Sequence, residues 1–154
     1  MTHAFAGALP GLARGRLRQR GSRPEPGGRR RLALPSPLRT GRDYDAVGLA
    51  ERDGRRVMEL LPRAGCVLAH GGRWWWIVPP QSDVGVEWPP IALYAVGGMV
   101  SGGSEGRAGG ADEEPRLVHA PDDREPYTHP LLLHIAVCAV AGVAPAWPRE
   151  ERRP

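Results

Sequence analysis

Residues 66–79 read CVLAHGGRWWWIVP, and the reading of this stretch decides the fold. Two apolar runs flank a Gly-Gly pair, and glycine takes the positive φ angles that a two-residue hairpin turn demands. CVLAH and RWWWIVP are therefore expected to form a β-hairpin turning at Gly71 and Gly72. Alternation along the second strand sends Trp74, Trp76 and Val78 to one face and Arg73, Trp75 and Ile77 to the other. Both faces carry indole, so both need cover. Helices are expected over one. The other calls for the proline-rich segment with Trp88, for a partner, or for a ligand. Indole rings on a sheet suit a core, where each aromatic side chain buries roughly 150–250 Å2. They equally suit stacking on nucleic-acid bases, at on the order of 1–3 kcal/mol per base.

Working outward, DYDAV at 43–47 reads as a short strand or an extended lead-in. Ala50, Gly54, Val57, Met58 and Leu61 then recur on one face of a helix, with Arg52, Arg55, Arg56 and Glu59 mostly elsewhere, until Pro62 ends it. Beyond the bend at Pro89 and Pro90, IALYAVG at 91–97 is a third strand, and RLVH at 116–119 can add a fourth. The last element, THPLLLHIAVCAVAG at 128–142, has Thr128 to cap a helix and Pro130 for its first turn. Its apolar run is shorter than the roughly 20 residues that cross a bilayer, so it is expected as a buried helix. The predicted fold class is α+β: a small mixed or antiparallel sheet of three to four strands with two helices on one face. The chain shows no internal repeat.

The 154 residues allow one modest domain, expected over 42–147, because 17 prolines and 21 glycines remove length from any packed core. Residues 1–41, rich in Arg, Gly and Pro and without helix or strand period, are expected to be a disordered basic tail. Residues 101–115 read as a flexible acidic insert, and 148–154 as a solvated end. Net charge is +4 with no lysine, a bias that suits GC-rich coding as well as it suits phosphate binding. Residues 1–42 hold ten arginines against the single carboxylate of Glu25, a net +9, and the remainder is −5. Arg14, Arg16, Arg18, Arg20, Arg29, Arg30 and Arg31 are the candidate phosphate contacts of this tail, which can equally be solvated or lie against its own domain. Two cysteines are too few for a disulfide scaffold and fit a reducing cytoplasm. The N-terminus has the wrong order for a secretory signal, while its Arg-rich, acid-poor character resembles an organelle transit peptide.

Cys66 with His70 and His134 with Cys138, each four apart, invite a zinc reading. The helical pair is sterically feasible. A straight strand sets residues four apart by roughly 13 Å, too far for a shared metal unless it bends. His134 is otherwise expected as a core histidine bonded to a neighbour or a backbone carbonyl. Asp43 and Asp45 form an Asp-x-Asp pair that would share one strand face, a spacing that two-metal nucleotidyl transfer uses. Asp122 and Asp123 read as a solvated turn. Ser82 and Ser101 lack a nucleophile-elbow context, and the glycines at 97–110 match no phosphate-binding loop. The residues imply no cofactor.

DYDAV, the helix after it, LAHGGRWWWIVPP at 68–80 and PYTHP at 126–130, in this order, resemble the bifunctional primase-polymerase N-terminal domain, especially short actinobacterial relatives. The resemblance covers about 42–130. It implies that Asp43 and Asp45 correspond to a metal-holding strand and Gly71 and Gly72 to a turn before a nucleotide-binding histidine. Trp74 stands in that histidine's place, and no later aspartate makes a convincing third site residue. The kinship therefore implies a non-catalytic derivative.

Three functions follow as expectations. The first is a small cytoplasmic, non-enzymatic protein binding nucleic acid or nucleotide weakly, through the arginine tail and through Arg73, Trp74, Trp75, Trp76 and Trp88. The second is a protein-interaction module that offers an exposed tryptophan face to a partner or to a second copy. The third is a metal-dependent nucleotidyl transferase using Asp43 and Asp45.

Overall fold

The structure is a computed structural model that describes residues 29–34, 43–101, 114–123 and 125–147. Its elements, in chain order, are β1 (Arg29–Arg31), β2 (Asp45–Ala50), α1 (Glu51–Leu60), β3 (Val67–His70), β4 (Arg73–Val78), β5 (Leu93–Ala95), β6 (Met99–Ser101), β7 (Arg116–His119) and α2 (Pro130–Ala141). The class is α+β, as expected. All strand pairings are antiparallel: one sheet has the order β5-β2-β4-β3-β7, and β1 with β6 makes a separate two-stranded ribbon.

The hairpin forms as its sequence demands. His70 pairs with Arg73, and Gly71 and Gly72 take φ angles of 61° and 72°, the left-handed pair that matches the twist of the flanking strands. Trp74, Trp76 and Val78 enter one core, with Val47, Leu49 and Val67. Both helices lie on that face, contributing Val57 from α1 and Leu133, Ala136 and Val137 from α2. Trp75 and Ile77 enter the opposite core, with Leu32, Tyr44, Ala46, Cys66, Leu68 and Ala95.

Several expectations are corrected. The sheet has five strands, not three to four, because β2 runs from Asp45 through Ala50 as an inner strand between β5 and β4. Gly48 lies mid-strand where the Trp75 ring crosses: a Cβ there would sit 2.5 Å from the indole. The 91–97 strand is only three residues long, since a 3-10 turn at Val96–Gly98 ends it before β6. Thr128 does not cap α2: its hydroxyl accepts from the Gly65 N–H at 2.9 Å, leaving His129 as the uncapped N-terminal residue and Pro130 in the first turn.

Within residues 1–41, expected to be a disordered tail, residues 29–34 are ordered. Arg29–Arg31 pairs with Met99–Ser101, and Leu32 is buried against Tyr44, whose hydroxyl donates to the Leu32 carbonyl. Arg14, Arg16, Arg18 and Arg20, most of the 101–115 insert and the 148–154 end lie outside the described residues. Finally, α2 is not buried on all sides: Leu131, Leu132 and Ile135 are each 41–46 % exposed. No described helix is long and apolar enough to cross a membrane.

Candidate functional site

The tryptophan strand supplies no stacking platform in this structure. Trp75 is 2 % exposed and Trp76 fully buried, and Trp74, at 9 %, is covered by the Arg55 guanidinium 5.3 Å from its ring centroid. The second sheet face, expected to need the proline-rich segment, a partner or a ligand, is closed by the chain itself. Leu32 and Tyr44 lie over it, with Leu34, Val100 and Tyr127 packed around them. The Trp75 ring lies against Gly48, and its N–H donates to the His70 carbonyl at 3.2 Å. Trp88, expected over that same face, packs instead on the helix side, edge-on to His134 at 5.4 Å. Arg73 stands half-buried at the hairpin end of β4.

Three other candidate residues do converge. Arg31, Asp43 and Asp45 line one open cleft of about 410 Å3, with Pro80, Gln81, Val96, Gly97 and Met99. Its carboxylates do not share a metal-facing surface. The Asp45 carboxylate is buried and accepts three hydrogen bonds: from Gln81 N–H at 2.8 Å, Gly97 N–H at 2.7 Å and the Tyr94 hydroxyl at 2.6 Å. Burial, followed by the bond to Asp45 and its negative charge, holds the Tyr94 phenol far above its usual pKa. Asp43 lies outside the strand, exposed, 3.5 Å from the Arg31 guanidinium, which also stacks over Tyr44 at 5.0 Å. Asp45 thus acts as a clamp tying the loop at Gln81, strand β5 and the 3-10 turn after it to the end of β2, and Asp43 as a surface ion-pair partner. The shared strand face expected of an Asp-x-Asp metal pair is absent because only Asp45 belongs to β2.

The two candidate zinc pairs are likewise apart from each other. Cys66 belongs to the core on the Leu32 side of the sheet, whereas His134 and Cys138 lie on α2 across it. Among the described residues no three His, Cys, Asp or Glu side chains come together as a metal set. Burial pushes the Cys66 thiol up to about 11 and raises Cys138 as well, so both are held as neutral thiols. His134 is fully buried, with Nε2 2.9 Å from the Glu87 carbonyl, the core role expected of it. Asp122 and Asp123 are exposed, and Asp123 accepts from the Glu125 N–H at 3.2 Å in a local turn.

The surface that stands out is the outer side of α2, which the sequence reading missed. Leu131, Leu132, Ile135 and Ala139 share a helical face and are all exposed; Val143 continues the patch just beyond the C-terminal Gly142. Every residue of α2 is uncharged apart from the titratable His134, which points inward. The sequence did carry a signal: a helix apolar all round needs cover on every side, and one sheet in a domain this small covers only one. Comparison with family models, curated proteins and solved structures finds no match to this chain.

Proposed function

We propose that the protein is a non-catalytic interaction module that contacts a second copy of itself through the outer face of α2. The observation that carries this reading is the row Leu131, Leu132, Ile135 and Val143, four large aliphatic side chains 41–46 % exposed on one side of a helix with no charged residue. Such a face meets its own copy about a two-fold axis without burying any charge, and Ala139 and Gly142 leave room for close approach of the backbones. A charged partner surface would lose hydration there and gain no polar contact. Covering each of the four side chains completely recovers about 1 kcal/mol. The two copies together recover about 8 kcal/mol and association costs about 4 kcal/mol or more, so at most about 4 kcal/mol remains and the contact is weak, with a Kd of about 1 mM.

Sedimentation velocity over a concentration series tests this. The wild type is expected to shift from monomer toward dimer as concentration rises, and Ile135→Glu to stay monomeric with an unchanged near-UV circular dichroism spectrum. A wild type that stays monomeric up to about 1 mM refutes the reading.

Weak binding of phosphate polymers is the second reading, supported by the +9 charge of residues 1–42. With the indoles of β4 enclosed, it rests on arginine alone and predicts a log affinity that falls steeply with log salt. Deleting residues 1–28 is expected to flatten that slope. The deletion stops at 28 because Leu32 is part of the core around Trp75.

A further inference from the structure

A second feature of α2 lies on its buried side. His134 and Cys138, one turn apart, bring Sγ within 3.5 Å of Nε2. The Glu87 carbonyl, 2.9 Å from Nε2, can only accept, so Nε2 carries a proton. Nδ1 is buried without a hydrogen-bond partner among the described residues, and so is Nε1 of Trp88, whose ring meets the imidazole edge-on. The Trp147 ring also contacts the imidazole, 5.1 Å away between centroids and tilted by 57°.

Trp147 reaches that position by a reversal. Gly142 adopts the left-handed conformation and its N–H bonds back to the Ala139 carbonyl, while the Val143 N–H bonds to the Cys138 carbonyl at 3.0 Å, a closed helix end. From Val143 the chain turns back until the Trp147 ring meets that of His134. His134 lies about 12 Å before Gly142 along the helix, a span that four extended residues cover. Residues 143–147 are all exposed, and Trp147 itself is 47 % exposed.

We propose that Val143–Trp147 is a latch that closes over the His134–Cys138 pair, and that its opening makes the Cys138 thiol and the His134 imidazole reachable from solvent. Two opposed effects keep it poised. The indole–imidazole contact is a modest attraction of the aromatic-pair kind. Closure leaves Nδ1 buried and unsolvated, a cost that water removes when the latch opens. Local opening is therefore frequent compared with global unfolding, and it is confined to this end of the molecule.

The test is N-ethylmaleimide labelling of the full-length protein, followed residue by residue with mass spectrometry. Cys66, buried in the opposite core, serves as the internal reference. Trp147→Ala is expected to raise the Cys138 labelling rate roughly two- to tenfold, the range set by an aromatic pair, and to leave Cys66 unchanged. Trp147→Phe, which keeps a ring, is expected to restore most of the protection. An unchanged Cys138 rate in Trp147→Ala overturns the latch. So does an equal rise at Cys66, because the alanine variant would then have loosened the whole fold.

Discussion

The two helices lie side by side on one face of one sheet and differ in what they show to solvent. α1 turns Gly54 and Val57 inward, with Gly54 close against the rings of Trp74 and Trp76. Outward it shows Glu51, Arg52, Arg55, Arg56 and Glu59, and it pairs Glu51 with Arg55 at 2.5 Å. α2 buries Leu133, His134, Ala136, Val137 and Cys138, and outward it shows Leu131, Leu132, Ile135 and Ala139. An amphipathic helix is completed by its own domain, since water satisfies its second face. A helix apolar all round is completed only by something more. Of the two helices, α2 carries the row of exposed aliphatic side chains, whereas α1 shows mainly charge and the single Leu60.

The comparison predicts graded effects. Leu133→Ala, on the inner side of α2, is expected to cost about 2–5 kcal/mol in chemical denaturation, because a fully buried leucine leaves a cavity behind. A loss below about 1 kcal/mol would mean that α2 is not packed as described. Ile135→Glu, two residues on and facing outward, is expected to change monomer stability by about 0.5 kcal/mol or less while abolishing self-association. If it unfolds the monomer, the outer face belongs to the core and the contrast with α1 collapses. The smallest effect belongs to Glu51→Ala. Its partner Arg55 is 64 % exposed at the side chain, so the ion pair contributes about 0.3–0.5 kcal/mol, and added salt is expected to erase the difference.

Much of the fold was legible because it rests on short-range rules. Gly71 and Gly72 are positions where only a positive φ closes the hairpin, and alternation then assigned Trp74, Trp75 and Trp76 to their faces. α1 was legible from its spacing, and α2 from Pro130 and the apolar run after it. The candidate site was not. Trp75 looked free because its cover comes from Leu32 and Tyr44, distant in sequence and, for Leu32, inside a stretch whose composition reads as unstructured. Asp45 looked like a metal ligand because nothing local announces that Gln81, Tyr94 and Gly97, 36 to 52 residues away, bring donors to it.

The amino-acid order alone determined the β-hairpin, the two helices and the opposite facing of the indoles, since turn chemistry and period act between neighbours along the chain. Which surfaces remain open was decided only in three dimensions. Solvent exposure depends on what distant segments cover, and here they close both sides of the tryptophan strand while leaving the outer side of α2 bare.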